Sequence, residues 1–140
     1  MSRFNSAERI DYAAQEIRDY STKPLVRDYV DSLCWSELDD GAYTINQFSE
    51  KARNEIMADV VAFTYENAEL LSNYIRQRQM PIDTGLGHAM HDFVLTRNRH
   101  GAGFWDRGLL GGLGDKLTQA AQAFGPMHIY VGDDGLAHVE

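Results

Sequence analysis

The sequence predicts a mainly α-helical domain that ends in a short β-hairpin. Apolar residues recur at three- and four-residue spacing through most of the first hundred residues, and two β-prone runs near the end flank a Gly-Asp-Asp-Gly turn. With 140 residues, of which 44% are hydrophobic, the chain has the usual size of one domain. We therefore expect a single domain (1–140) of about four to five helices. Its parts are a helical region (6–98), a Gly/Arg-rich loop (99–114), and a short helix with the hairpin (115–140).

Local signals mark the first two helices. Asn5 followed by Glu8 resembles a capping box and predicts a helix over 6–20. Pro24 suits the first turn of a second helix, whose apolar stripe predicts an end near Glu37.

The third predicted helix is the longest. Thr44 and Gln47 form a possible capping box, and the chain then runs without glycine or proline to Arg78. The residues expected on its buried side are Phe48, Ala52, Ile56, Val60, Phe63, Ala68, Leu71 and Ile75. The acids Glu55, Asp59, Glu66 and Glu69 recur at helical spacing on the opposite side.

Two further helices and the hairpin complete the prediction. After Pro81, a cap at Asp83 or Thr84 predicts a fourth helix with its apolar pattern over 86–95. A short helix over 115–124 follows the glycine-rich loop. The runs 127–131 and 136–139 predict a hairpin, which must pack on the helices or pair with another chain because an isolated ribbon is marginal in water.

Composition limits the classes of function. The net charge of −8 disfavours direct binding to nucleic acid or to anionic lipid and favours a partner with a basic surface. The start of the sequence lacks the pattern of a signal peptide, and no apolar run is long enough to span a membrane. A single cysteine, Cys34, excludes an intramolecular disulfide, so we expect a cytoplasmic protein without membrane contact.

One segment concentrates residues that are common in binding sites. Arginines grip carboxylate or phosphate groups, glycines let backbone amides approach a ligand, and tryptophan offers a stacking face. A small anionic or nucleotide-like ligand would fit such a segment. Alternatively, Phe104 and Trp105 anchor the loop in the core and Asp106 pairs with an arginine. The candidate binding residues are Arg97, Arg99, His100, Trp105, Asp106 and Arg107.

Metal and covalent chemistry have weaker signals. His88, His91 and Asp92 can share a helix face, with His100 as a further ligand, but this spacing is common by chance. Cys34 lies on an apolar stripe, where a thiol is usually inert. The sequence therefore predicts no metal site and no cofactor, and it favours a protein that is not an enzyme.

The acids Glu55, Asp59, Glu66 and Glu69 form a candidate interaction face. Carboxylates one helical turn apart are spaced about 5.4 to 6 Å, close to the phosphate spacing of a nucleic-acid strand. Such a face can occupy a basic nucleic-acid channel on another protein. The alternative is a helix face that is simply solvated.

The C-terminal third carries a resemblance. The runs Thr96-Arg97-Asn98, His100 to Gly108, Leu113-Gly114-Asp115 and Tyr130 to Gly135 resemble a group of uncharacterised small bacteriophage-encoded proteins. The resemblance covers roughly residues 91–135 and assigns no site residues. It implies a context in which small acidic phage proteins bind and block host machinery, including restriction or CRISPR systems, in the infected bacterial cytoplasm.

These observations lead to one expected function and two alternatives. The expected function is that of a phage accessory protein that binds a host or phage protein through its acidic face or its Arg-rich loop. A nucleic-acid-handling or defence complex is the expected target. The first alternative is a small-ligand binder or enzyme that uses the segment from Arg97 to Arg107. The second is a virion or assembly component that forms homo-oligomers through the hairpin.

Overall fold

The computed structural model describes residues 11–38 and 41–140. Within them it contains six α-helices, two 3₁₀ turns and one two-stranded antiparallel sheet, so the predicted mainly helical fold with a C-terminal hairpin is confirmed. The helices are α1 (Tyr12–Arg18), α2 (Thr22–Glu37), α3 (Glu50–Glu66), α4 (Ala68–Arg78), α5 (Ile82–Arg97) and α6 (Leu113–Gln122). The 3₁₀ turns are Ile45–Gln47 and Phe104–Asp106, and the strands are β1 (Ile129–Val131) and β2 (Ala137–Val139).

The second helix ends where predicted, whereas the first is shorter than the predicted 6–20: Asp11 is extended and the helix ends at Arg18. Helix α2 ends at Glu37, as predicted. Helix α1 begins after Asp11, whose carboxylate accepts a hydrogen bond from the Ala14 N–H at 2.9 Å. The predicted start of the first helix at residue 6 and its cap at Asn5 lie outside the described residues.

The prediction of one long third helix is wrong, because the helix is interrupted at Asn67. The backbone of Asn67 leaves the helical region, with φ −110° and ψ 21°. Its side-chain amide donates to the Phe63 carbonyl at 2.9 Å, the same carbonyl that its own backbone N–H contacts at 3.1 Å. A short polar side chain that bonds the local backbone in this way competes with helix propagation. Two helices, α3 and α4, therefore replace the single predicted one.

The start of this region also differs from the prediction. The Gln47 carboxamide accepts a hydrogen bond from the Thr44 N–H at 2.8 Å, but these residues bound a 3₁₀ turn and not the helix. Ser49 caps α3 instead, accepting from the Ala52 N–H at 3.1 Å. The intervening Phe48 is fully buried and forms a parallel β-bridge with Ala137.

Helix α5 is longer than predicted and lies at the centre of the fold. It begins at Ile82, directly after Pro81, so the predicted cap at Asp83 or Thr84 is wrong. It packs against α2, α4 and α6. Gly85 permits the close approach of α4, since a Cβ at that position would lie 2.6 Å from Cγ1 of Ile75.

The C-terminal elements pack onto the helices, as predicted for a hairpin of this size. Strand β1 pairs with β2 in the register Ile129 to Val139 and Val131 to Ala137. The Ser49 N–H donates to the Ala137 carbonyl at 2.8 Å and ties β2 to the start of α3. Helix α6 begins two residues before its predicted start at 115 and ends two residues before its predicted end at 124.

Aromatic side chains form much of the core. The rings of Phe63 and Phe93 stack with centroids 4.0 Å apart, and Phe104 and Phe124 pack around Phe63. Such aromatic pairs add about 0.5–1.5 kcal/mol each to their burial. The predicted buried side of the third helix is confirmed from Phe48 to Leu71, and Ile75 is partly buried. No helix in the described ranges has the length and apolarity needed to cross a bilayer.

Candidate functional site

Arg97, the first of the predicted binding residues, is a buried structural side chain. Its side chain is 2% exposed and forms an ion pair with Asp59 at 3.0 Å. Its guanidinium also donates to the Tyr29 hydroxyl at 3.0 Å and to the backbone carbonyls of Phe124 and Gly125. Burial raises the pKa of Tyr29 to about 12, so this hydroxyl remains protonated. Arg97 therefore joins α5, α3 and α2 to the end of α6.

Arg107 belongs to a second charged cluster, which is centred on a buried carboxylate. Asp92 is 1% exposed, and Arg107 grips it through Nη2 at 2.6 Å and Nε at 3.1 Å. The hydrogen bonds to Asp92 raise the pKa of Arg107. A buried carboxylate needs such charged partners, because desolvation without them is costly.

Two residues of α4 complete this cluster, and neither was among the candidate binding residues predicted from the sequence. The Tyr74 hydroxyl donates to Asp92 Oδ2 at 2.6 Å, and Arg78 donates to the Tyr74 hydroxyl at 2.6 Å. Burial, together with the neighbouring Asp92, raises the pKa of Tyr74. Arg78 Nη1 also lies 3.7 Å from Asp92. The four-residue spacing of Tyr74 and Arg78 on a helix was the only signal in the sequence that these two side chains meet.

The glycine-rich loop is held by its own hydrogen bonds. The Asp106 carboxylate accepts from the Gly103 N–H at 3.1 Å, and the Thr96 hydroxyl accepts from the Phe104 N–H at 3.1 Å. Phe104 is buried, as the core-anchor alternative expects, whereas Trp105 is 53% exposed. Asp106 lies 3.8 Å from Arg107, so its main contact is with the backbone of the loop.

His100 lies on a different side of the loop, near Glu37. Its Nε2 is 3.9 Å from Glu37 Oε1, which contacts His128 Nδ1 at 2.7 Å and Asn98 Nδ2 at 3.1 Å. The structure therefore separates the six predicted binding residues. Arg97 faces the core, Arg107 faces Asp92, His100 faces Glu37, and Arg99 and Trp105 are exposed.

The residues considered as metal ligands do not form a three-ligand group in the described part of the chain. Asp92 is occupied by arginines, and His91 Nδ1 lies 3.0 Å from the Ser32 hydroxyl. His88 is exposed and lines the same shallow groove as His91, one turn earlier on α5. Across residues 11–38 and 41–140, no three His, Cys, Asp or Glu side chains are arranged to hold a metal ion.

The contact between Ser32 and His91 has one feature of a nucleophile and its base. Burial lowers the pKa of His91, which favours the neutral form that a general base requires. However, Ser32 lies in the middle of α2, where backbone N–H groups bond within the helix and cannot form an oxyanion hole. Burial also raises the pKa of the Cys34 thiol. The positions of Ser32 and Cys34 therefore favour structural roles for both side chains.

The predicted acidic face is divided by the break at Asn67. Asp59 points toward Arg97, and Glu55 lies 3.9 Å from Lys51. Glu66 is exposed at the end of α3. Glu69 lies on α4 and pairs with Arg18 at 3.7 Å.

The outer side of α3 carries an exposed apolar stripe that was not predicted from the sequence. Met57, Val61 and Tyr65 are 46%, 45% and 57% exposed. Their four-residue spacing places them on successive turns of one helix side, which is the signal that was available in the sequence. Arg18 lies over the Tyr65 ring at 5.6 Å and also pairs with Glu69, so the stripe and the acids are contiguous.

The described elements define a mainly helical domain with a C-terminal antiparallel hairpin. No protein-family model, curated protein or solved structure matches this chain.

Proposed function

We propose that this chain is a bacteriophage accessory protein that binds another protein through the outer side of α3. The observation that carries the proposal is the exposed stripe of Met57, Val61 and Tyr65. Solvent-exposed apolar side chains on successive turns of one helix side are typical of a surface that a partner covers.

The acids beside the stripe define the chemistry of the partner. Glu55 and Glu66 are eleven residues apart, three helical turns, so they lie along one side of α3. Viewed down the helix axis, the side that carries Glu55 and Glu66 is rotated by about 120° from the apolar stripe. Glu55 and Glu69 make only long ion pairs, at 3.9 and 3.7 Å, and Glu66 is exposed. Because such surface pairs are weak and the chain has a net charge of −8, this surface favours a partner that combines apolar side chains with a basic surface.

The Arg-rich loop is less suited to this role. Two of its arginines, Arg97 and Arg107, are paired with carboxylates inside the domain. We therefore propose that α3 and the acids beside it carry the interaction. The resemblance of residues 91–135 to small bacteriophage proteins supports a target in the host. A basic surface is typical of proteins that bind nucleic acid, which favours a complex that handles nucleic acid.

A pull-down from bacterial lysate with three forms of the tagged protein tests the proposal. One form is the wild type, and the second replaces Met57, Val61 and Tyr65 with serine. The control replaces Trp35, Leu110 and Val131 with serine, since these are apolar side chains of similar or greater exposure on other parts of the surface. We expect wild type and control to capture the same protein and the stripe variant to lose it.

The captured protein is then identified and purified, and its affinity is measured against salt concentration. Loss of the stripe should weaken binding by at least about thirtyfold, as for a central cluster in an interface. Replacing Glu55, Glu66 and Glu69 with glutamine should weaken binding at low salt and reduce its salt dependence. Retained capture by the stripe variant, or the absence of any captured protein, would contradict the interaction. A captured protein without a role in nucleic-acid handling or defence would contradict the proposed target.

A further inference from the structure

A groove of about 450 Å³ lies between the C-terminal end of α4 and the segment Arg107 to Leu110. Three arginines line it: Arg76 and Arg78 from α4, and Arg107 from the loop. None of the described residues that line it is acidic. This concentration of cations is notable in a chain with a net charge of −8.

Two of these arginines are positioned by residues behind the groove. Arg107 is fixed on the buried Asp92, and Arg78 is fixed on the Tyr74 hydroxyl with its guanidinium 5.3 Å from the Tyr74 ring centre. Both side chains remain partly exposed, at 25% and 22%. Holding cationic groups in place before a ligand arrives lowers the entropy cost of binding.

The two walls of the groove are also tied together. The Gln77 carboxamide accepts from the Leu110 N–H at 2.8 Å and donates to the Leu110 carbonyl at 3.2 Å. Gly108, with φ at +68°, allows the chain to turn between Arg107 and this contact. The groove is therefore a defined feature of the fold and not a gap beside a free loop.

Several guanidinium donors remain available to a ligand. Within the described residues, Arg107 Nη1 has no hydrogen-bond partner, and Arg78 uses only Nη1. Arg76 uses only Nη2, on Asn73 at 2.9 Å. Asp92 and Asp106 near Arg107 offset two of the three positive charges, which leaves the cluster cationic.

We propose that this groove binds a small phosphorylated molecule through its phosphate group. Guanidinium groups match the geometry of phosphate oxygens, and a phosphate monoester carries close to two negative charges at pH 7, enough to engage more than one arginine. Met80, Leu109 and Leu110 also line the groove and suit a short carbon skeleton. None of the described residues that line the groove is aromatic, which favours a phosphorylated molecule without a nucleobase.

Binding is tested by NMR titration of the full chain with glycerol 3-phosphate, with succinate and sodium chloride at equal ionic strength as comparisons. We expect saturable shifts of the Gly108 and Leu109 amide signals with glycerol 3-phosphate only. Arg76→Gln should weaken this binding by about tenfold or more, since a charge-assisted hydrogen bond is lost. Arg76 is the suitable variant because it is exposed and its only side-chain hydrogen bond within the described residues is to Asn73.

Arg99→Gln is the matched control, because Arg99 is exposed and does not line the groove. It should bind glycerol 3-phosphate as the wild type does. Equal weakening by both variants, the same shifts with chloride, or no saturable shift would overturn the proposal. Equal binding of succinate would overturn the assignment to phosphate. The serine variant of Met57, Val61 and Tyr65 should retain anion binding, so this result is independent of the proposed protein interaction.

Discussion

At the scale of single residues, the position of Arg97 has the clearest consequence. Its guanidinium neutralises Asp59 and satisfies the Phe124 and Gly125 carbonyls from inside the domain. It also lies over the rings of Phe93 and Phe124, with its Cζ 5.1 and 5.7 Å from their centres. One side chain therefore supplies both charge pairing and packing where three helices meet.

Arg97→Met should destabilise the domain by about 3 kcal/mol, because it leaves the partly buried Asp59 carboxylate and the Phe124 and Gly125 carbonyls without their donor. Urea unfolding measures this change. Adding Asp59→Asn should recover part of the loss, since it removes the unpaired carboxylate. Arg99→Gln, an exposed neighbour, should stay within about 0.5 kcal/mol of wild type. A similar effect of both arginine variants would contradict the role assigned to Arg97.

At the scale of elements, the packing of α4 against α5 depends on a glycine, Gly85. Gly85 lies in the first turn of α5 and faces Ile75, near the end of α4. A Cβ added at position 85 would lie 2.6 Å from Ile75 Cγ1, which is shorter than a van der Waals contact. Residue size at this point therefore sets how closely the two helices approach.

Gly85→Ala should destabilise the domain by about 1–3 kcal/mol through overpacking, although alanine favours a helix more than glycine does. The double variant with Ile75→Ala should show a favourable coupling energy, because the smaller side chain removes the clash. Chemical denaturation of the four forms measures the coupling. Gly101→Ala is the control, since a Cβ there meets no atom within 4 Å. Additive effects at positions 75 and 85 would contradict the proposed clash.

At the scale of the whole molecule, the core is shared between distant parts of the chain. Tyr29 of α2 donates to the Met127 sulfur at 3.3 Å, and Phe48 before α3 pairs with Ala137 of β2. These contacts join the first 48 residues of the chain to its last fourteen. A domain held together in this way is expected to unfold as one unit.

Trp35 and Trp105 offer two probes of this cooperativity. Both are exposed, at 70% and 53%, so Trp35→Phe and Trp105→Phe should change stability little. In each single-tryptophan variant, the urea transition followed by fluorescence should coincide with the transition followed by far-UV circular dichroism. Different midpoints for the two probes would contradict a single cooperative domain.

The secondary structure shows which features local sequence could predict. Helix α2 and the hairpin were predicted correctly, because their signals are local. Proline, apolar spacing and the Gly-Asp-Asp-Gly turn each influence the backbone within a few residues. The break at Asn67 was missed because a single asparagine is tolerated in many helices. Asn67 interrupts the helix here because its side chain donates a hydrogen bond to the Phe63 carbonyl. The spacing of apolar residues does not predict such a bond.

By itself, the sequence determined the helical class, the C-terminal hairpin and the concentration of arginine and glycine after α5. Only the tertiary structure decided what those arginines do. Arg107 reaches Asp92 fifteen residues earlier, Arg97 reaches Asp59 on another helix, and Arg76 and Arg78 of α4 line a groove with Arg107. The physical reason is that helix and turn preferences act over one or two turns, whereas the desolvation of a buried charge is offset by whichever residue the fold places beside it.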